Sequence, residues 1–201
     1  MADDRDRRKW RRKDGRDWRI GSKAEVQWIE DGSEYGVRIT SGIPPVFEAY
    51  ATLELAGSGN GEALSFVVSE RHDSSVLNVL VENTAVQPWW LGYLETGVTN
   101  VVFDDAPRVQ LYAGWDYVLV EAGPEQARTW RGEDWKGYLP DLMFPADHSW
   151  LVSTLWDDDW TCIGGSRRLV NAFLADPELG DRAREVDPSI EDATPPGHVA
   201  F

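Results

Sequence analysis

Apolar residues alternate with polar ones along several stretches of the chain, and this period of two predicts β-strands. From Phe47 to Leu55 every second residue is apolar, which predicts a strand over residues 46–55. The run Trp89–Leu94 is strongly apolar and predicts another strand.

Three pairs of such stretches flank turn-forming residues and are predicted to be hairpins. The first, over residues 25–39, turns at Asp31-Gly32. The second turns at Ala113-Gly114, and its second arm is apolar on both faces from Tyr117 to Val120, which indicates a central strand. The third covers residues 149–163.

Apolar spacings of three and four residues predict three helices. The first covers Glu70–Glu82, and the second begins at Gly123-Pro124, with proline in the first turn where its missing N–H does no harm. The third covers Ser166–Ala175, with Ser166 as its N-cap and Asp176-Pro177 as its end.

These elements define a fold class. Hairpins outnumber plausible parallel crossovers, so the predicted fold is α+β, a mainly antiparallel sheet with about three helices packed on one face. No linker interrupts residues 24–201, which we expect to form a single acidic domain. Residues 1–23 are predicted to be a basic, tryptophan-containing N-terminal arm, either disordered or a short helix on the domain.

Charge is divided unevenly along the chain. Residues 1–19 hold nine Lys and Arg against five Asp and Glu, a local net charge of +4. The other 182 residues hold 11 basic and 30 acidic side chains, a net charge of −19, so the chain carries −15. Because phosphates bind positive surfaces, nucleic acid is disfavoured as a ligand except through the arm. A basic protein partner suits the acidic body, unless the acidity serves only solubility.

The chain shows no sign of export or membrane insertion. No apolar run reaches the roughly 18 residues needed to cross a bilayer, and the charged N-terminus lacks the apolar segment of a signal peptide. The single cysteine, Cys162, excludes an intrachain disulfide and a cysteine-based metal cluster. These features predict a cytoplasmic protein with no membrane partner.

The main candidate for a functional surface is Trp156-Asp157-Asp158-Asp159-Trp160, at the predicted tip of the third hairpin. A three-residue turn would place Trp156 opposite Trp160, with Val152 and Cys162 on the same face. The aspartates would then form a negative knob that can dock Arg or Lys of a partner. A Ca²⁺ or Mg²⁺ site and an ordinary solvated turn are the alternatives.

Trp89 and Trp90 are a second candidate, because adjacent residues of a strand point to opposite faces. One ring is expected in the core, and the other can be an exposed anchor for a protein partner or a sugar. The other interpretation, which the apolar character of the run favours, is that both rings pack in the core.

Catalytic and cofactor signatures are lacking. The Walker A, G-x-G-x-x-G, G-x-S-x-G, H-E-x-x-H and C-x-x-C patterns are absent, and no cofactor is predicted. Pairing of Cys162 with His148 is conceivable, but a mid-strand cysteine is typical of an inert buried thiol. A metal-dependent hydrolase would draw on Asp104, Asp105 and the hairpin aspartates, and Gly164-Gly165-Ser166 could hold an anion at a helix N-terminus.

The segment 144–177 resembles the closing hairpin and helix of uncharacterised small acidic proteins from high-GC Gram-positive bacteria. The resemblance covers residues 43–200 and is carried by Phe144-Pro145-Ala146-Asp147-His148-Ser149-Trp150, Trp156, Gly164-Gly165-Ser166 and Asp176-Pro177. In size, acidity and order of elements, the chain is also similar to bacterial immunity proteins of the SUKH type, which bind and block toxins. That similarity implies a toxin as partner and assigns no individual residue.

The sequence therefore favours a cytoplasmic, non-enzymatic interaction module of immunity or antitoxin type, which binds a basic partner through an acidic, tryptophan-rich surface. A metal-dependent hydrolase with aspartate ligands and a carbohydrate-binding module are the alternatives.

Overall fold

The computed structural model describes residues 9–11, 16–55, 66–96, 102–103, 105–131, 139–155 and 158–198. Within these residues, ten strands form one sheet and four α-helices pack against it. The strands are β1 (Lys9–Arg11), β2 (Asp17–Ile20), β3 (Ala49–Glu54), β4 (Trp89–Leu94), β5 (Val109–Leu111), β6 (Trp115–Ala122), β7 (Leu142–Pro145), β8 (Leu151–Ser153), β9 (Trp160–Gly165) and β10 (Ala183–Glu185). The helices are α1 (Lys23–Gly32), α2 (Phe66–Glu82), α3 (Pro124–Thr129) and α4 (Arg167–Ala175), with 3₁₀ turns at Ile39–Ser41 and Gly180–Arg182.

The sheet is antiparallel at every described pairing. Its strand order is β1-β2-β6-β4-β7-β8-β9-β3-β10, and β5 pairs with β6. β4 is buried along its whole length because both of its faces are covered. This explains why the run Trp89–Leu94 is strongly apolar and does not simply alternate.

Two apolar layers enclose the sheet, one on each face. On one face, helices α2, α3 and α4 bury Leu80, Ala127 and Phe173 against the strands. On the other face, α1 buries Ile29, and the segment after β10 adds Val186.

The predicted α+β class with a large antiparallel sheet is confirmed, but the helix count is four within the described residues, and α1 lies on the face opposite the other three. The predicted hairpin over residues 25–39 is wrong, because α1 occupies most of it. Val26 and Ile29 lie three residues apart and are both buried, as expected of a helix. A capping box starts the helix: the carboxylate of Glu25 accepts from the backbone N–H of Ser22 at 2.7 Å.

Most other predicted elements are confirmed. β3 and β4 match the two predicted strands, and β5 and β6 match the second hairpin. The three predicted helices are present as α2, α3 and α4, and α2 begins four residues earlier than predicted.

The third hairpin is present as β8 and β9, but its register differs by one residue from the prediction. Ser153 lies opposite Cys162, and Val152 lies opposite Ile163. Val152 and Cys162 therefore face opposite sides of the sheet, because a shift of one residue exchanges the faces of a strand.

Part of the predicted N-terminal arm belongs to the sheet. Arg19 and Ile20 of β2 pair with β6, and β1 pairs with β2. Ile20 is buried, and the Arg19 guanidinium contacts the carboxylates of Glu25 and Glu121 at 2.9 and 3.0 Å. Strand pairing therefore replaces the predicted disorder or helix in this part of the arm, while residues 1–8 and 12–15 lie outside the described ranges.

Candidate functional site: an acidic aromatic groove

A groove with a volume of about 710 Å³ opens on the face of the sheet that carries α1. Its walls come from the C-terminal end of α1 and residues 33–38, the turn between β5 and β6, the start of β9, and residues 193–198. Ligand sites commonly have volumes of about 300–1,000 Å³, so this groove can hold a substantial part of a ligand or a short peptide segment. We call it the acidic groove.

Carboxylates dominate the charged lining of the acidic groove: Glu30, Glu34, Asp158 and Asp159 line it together with the cationic Arg38 and the titratable His198. Glu30 pairs with Lys23, and Arg38 contacts Glu191 at 3.1 Å. The positive charge of Arg38 is therefore shared with a carboxylate that is not part of the groove lining.

His198 links the C-terminal segment to the start of β9. Its Nδ1 lies 3.4 Å from Oδ1 of Asp159, and its Nε2 lies 3.7 Å from Oε1 of Glu54. The imidazole ring also contacts the ring of Trp160, with centroids 5.9 Å apart. This side chain fixes residues 193–198 as one wall of the groove.

Four aromatic residues contribute to the lining of the groove: Tyr35, Tyr112, Trp115 and Trp160. Tyr35 is 89% exposed at the rim, whereas Tyr112 and Trp115 pack together with ring centroids 6.2 Å apart. Exposed rings beside carboxylates favour cationic or amphipathic ligands, because aromatic faces and carboxylates both attract positive charge.

Tyr112 builds the floor of the groove. Its hydroxyl lies 2.7 Å from the hydroxyl of Ser153 and donates to the carbonyl of Gly42 at 2.9 Å. Burial raises the pKa of the Tyr112 hydroxyl, so it stays protonated and can donate at neutral pH. The turn that presents Tyr112 uses two left-handed residues, Tyr112 at φ 54° and Gly114 at φ 88°.

The rim segment 33–38 is held at its start. The Ser33 hydroxyl donates to the carbonyl of Ile29 at 2.7 Å, and the backbone N–H of Glu34 donates to the carbonyl of Thr40 at 2.9 Å. Beyond these anchors, Gly36 adopts a φ of 147°, and the exposed side chains of Tyr35 and Val37 border the groove.

The predicted tryptophan–aspartate run contributes directly to the groove. Asp158, Asp159 and Trp160 all line it. Trp156 and Asp157 lie outside the described residues. The structure thus brings three of the five predicted residues together with α1 and the β5–β6 turn, neither of which the sequence connected to them.

Trp89 and Trp90 do not line the groove. They point to opposite faces of the sheet, and their exposed fractions are 2% and 4%. Trp89 packs edge-on against Trp150 at 4.9 Å, and Trp90 lies beneath the guanidinium of Arg19 at 4.8 Å. Both rings therefore pack in the core, as the favoured interpretation had it, and neither is the exposed anchor that was the tentative partner-binding candidate.

Cys162 and His148 do not form a catalytic pair in the described contacts. Cys162 is 2% exposed, and burial raises the pKa of its thiol, which keeps it protonated. His148 instead stacks on Trp28, with ring centroids 4.5 Å apart and an interplanar angle of 15°. The structure therefore supports the interpretation of Cys162 as an inert buried thiol.

Two N–H groups at the start of α4 already have side-chain acceptors. The Ser166 hydroxyl accepts from the N–H of Leu169 at 3.2 Å, and the Glu48 carboxylate accepts from the N–H of Arg167 at 3.0 Å. A protein carboxylate thus occupies the position at which an anion was considered. Among the described residues, no three His, Cys, Asp or Glu side chains converge to hold a metal ion, while Asp104 and Asp157 lie outside that set.

Sequence reasoning missed Glu30, Glu34, Tyr112 and Trp115 as groove residues. A local signal existed for the first two, because the Ser22-x-x-Glu25 pattern marks the start of a helix that ends near them. No local signal existed for Tyr112 and Trp115, since they reach the groove only through the pairing of β6 with the rest of the sheet.

No protein-family model matches the chain, and it matches neither a curated protein nor a solved structure. In the part of the chain that is described, no helix is both long and apolar enough to cross a membrane.

Proposed function

We propose that this chain is a cytoplasmic protein-interaction module that holds a basic segment of a partner protein in the acidic groove. The observation that carries the proposal is the convergence of four carboxylates and four aromatic rings from separate chain segments on one groove of about 710 Å³. This lining is complementary to an arginine or lysine side chain and its apolar neighbours.

The chemistry of the lining favours arginine in particular. A guanidinium can stack on an aromatic face and pair with a carboxylate at the same time. Glu34 is exposed and has no ion-pair partner in the described part of the chain, so its charge is available at the rim. The only described ion pair of Asp159 is with His198, at 3.4 Å. A guanidinium of the partner can approach this carboxylate more closely and form a stronger ion pair.

The proposed mechanism is occlusion of the partner. The excess of acidic side chains on the body speeds encounter with a basic surface, and the groove then covers the bound segment. The resemblance to SUKH-type immunity proteins supports the most specific form of this proposal, in which the partner is a toxin and binding blocks it.

The direct test is a fluorescence-anisotropy titration with a labelled amphipathic peptide that contains arginine, beside a twin with citrulline at the same positions. Citrulline keeps the shape of arginine but removes its charge. We expect the arginine peptide to bind more tightly and to lose affinity as salt is added, because exposed ion pairs are screened.

Matched variants locate the binding surface. Glu34→Gln and Asp159→Asn should each lower the affinity for the arginine peptide by up to about fivefold, since a partly exposed ion pair contributes at most ~1 kcal/mol. Glu125→Gln, an exposed carboxylate on α3 on the opposite face of the sheet, should have no effect. Equal binding of the two peptides, or unchanged affinity in both groove variants, would refute the proposal.

A further inference from the structure

A second and smaller cavity, of about 80 Å³, lies on the face of the sheet opposite the acidic groove. Part of its lining is apolar and includes Val76, Met143 and Ile163. The rest consists mainly of six polar side chains: His72, Asp73, Arg131, Asp141, Thr154 and Thr161. Such groups are rarely buried together without a reason, because each loses its contacts with water.

Arg131 is the principal polar group in this cavity. Its side chain is 7% exposed, and its Nη1 donates to Oδ1 of Asp141 at 3.2 Å and to the carbonyl of Leu139 at 2.8 Å. Nη2 donates to the other carboxylate oxygen of Asp141, and Cζ of the guanidinium lies over the ring of Tyr93, 5.3 Å from its centroid. The Nη1–Nη2 edge of the guanidinium is thus occupied by protein.

The remaining edge of Arg131 is formed by Nε and the outer N–H of Nη2. Nε is fully buried and has no hydrogen-bond partner among the described residues. These two N–H groups are parallel, the arrangement that binds two coplanar oxygen atoms of one group. Buried donors are normally satisfied. This edge can therefore bind a hydrogen-bond acceptor that does not belong to the described residues.

Charge in the cavity permits an anion. Asp141 already neutralises Arg131. His72 lies between two oxygen atoms, Oδ1 of Asp73 at Nδ1 and the carbonyl of Glu54 at Nε2, both at 3.2 Å. Burial raises the pKa of the Asp73 carboxyl, which disfavours a negative charge at this end of the cavity.

A hydroxyl group adds a further donor. Oγ1 of Thr154 and Oγ1 of Thr161 are 2.8 Å apart. Their mutual hydrogen bond uses one of the two hydroxyl hydrogens, and the second is available to an acceptor in the cavity.

We propose that this cavity binds a small planar oxyanion, a carboxylate of formate or acetate size or the similarly shaped nitrate, through the Nε–Nη2 edge of Arg131 and a threonine hydroxyl. The volume fits this class, because about 80 Å³ corresponds to two or three water molecules at roughly 30 Å³ each. The site is independent of the acidic groove and lies on the other face of the sheet.

The test is calorimetric titration of the 201-residue chain with sodium formate, acetate and nitrate at constant ionic strength, with chloride as the spherical control anion. We expect saturable binding of the planar anions and none of chloride. Arg131→Lys keeps the charge beside Asp141 but removes the fork, so it should weaken binding by about tenfold or more, the scale of one hydrogen bond to a charged group. Arg168→Lys, an exposed arginine on α4, is the matched control and should bind as the wild type does.

The double variant Thr154→Val/Thr161→Val is the second test if Arg131→Lys does not fold, as judged by circular dichroism. It keeps the shape of both side chains and removes both hydroxyls, so that neither can donate to the anion, and we expect it to weaken formate binding several-fold. Absence of saturable binding in the wild type, equal binding of chloride, or unchanged affinity in the double variant would overturn the proposal and assign the cavity to water. Asp159→Asn in the acidic groove should leave the anion titration unchanged, which separates this test from that of the peptide.

Discussion

The hydroxyl of Tyr112 lies 2.7 Å from the hydroxyl of Ser153, and this contact joins the β5–β6 turn to strand β8 across the sheet. The same hydroxyl donates to the carbonyl of Gly42, close to the 3₁₀ turn Ile39–Ser41. Three chain segments that are far apart in sequence are thus held at one buried oxygen, and Tyr112 and Ser41, from two of these segments, line the acidic groove.

Tyr112→Phe should lower the free energy of unfolding by about 1–3 kcal/mol, because it leaves the buried Ser153 hydroxyl and Gly42 carbonyl without their partner. Urea denaturation measures the change. Tyr35→Phe is the control: its ring is 89% exposed, so the change should remain within about 0.5 kcal/mol. Equal stability of Tyr112→Phe and the wild type would show that these hydrogen bonds contribute nothing net.

Gly164 allows close packing of β9 against the loop before β3. A Cβ atom at this position would lie 2.4 Å from both Cγ2 of Ile43 and Cδ2 of Phe47. Gly164→Ala should therefore reduce the free energy of unfolding by about 1–3 kcal/mol through overpacking, as measured by thermal or urea denaturation.

Gly42→Ala is the matched control for this substitution. Its Cβ would have its nearest neighbours at 3.6 Å, and its φ of −109° suits any residue. We expect this variant to be neutral or more stable by up to about 1 kcal/mol. Similar losses in both variants would contradict the packing argument.

Stability should depend on pH through His148. Partial burial of the ring, one face of which stacks on Trp28, lowers the pKa of this histidine below its ordinary value, despite the opposing charge of Asp147. The unfolded chain therefore binds the proton more readily, so stability present above about pH 6.5 is lost as the pH falls through that value towards the folded-state pKa.

Denaturation curves at pH values from about 7.5 to about 5.5 would measure this effect in the wild type and in His148→Asn. Asparagine cannot titrate in this range and tolerates the positive φ of 55° at this position. We expect the wild type to lose more stability than the variant as the pH falls. Parallel curves would show that His148 makes no contribution to the pH dependence.

Ser166→Ala should destabilise the protein by about 1 kcal/mol, because it removes the hydroxyl that accepts the N–H of Leu169 at the start of α4. Ser149→Ala is the comparison, since Ser149 is exposed, caps no helix, and its hydroxyl contacts only the exposed carboxylate of Asp147. Melting temperatures measure the effect. If both variants melt at the same temperature as the wild type, the Ser166 cap does not contribute to stability.

Elements with strong local signals were predictable. Helix α4 combines an N-cap, an apolar stripe and a terminating Asp176-Pro177, and it begins and ends where these residues predict. The β5–β6 hairpin was predictable because Gly114 takes the left-handed conformation that its turn requires. In both cases the deciding interactions lie within a few residues of one another.

The errors arose where local patterns were ambiguous. Val26 and Trp28 alternate over too short a stretch to distinguish a strand from a helix, and only the burial of Val26 and Ile29 together decides for α1. The register of β8 and β9 depended on a turn length that the sequence did not fix. The opposition of Ser153 and Cys162 is set by packing on the two faces of the sheet.

The sequence by itself determined the α+β class, the acidic character of the body and the presence of Asp158, Asp159 and Trp160 at a hairpin tip, because composition, periodicity and capping act over short distances along the chain. Only the tertiary structure decided which residues surround them. Glu34 and His198 come from opposite ends of the chain, and Arg131 meets Thr161 only across the sheet. Such neighbours are set by strand order and by two-sided burial of the sheet, which are long-range properties that no local pattern encodes.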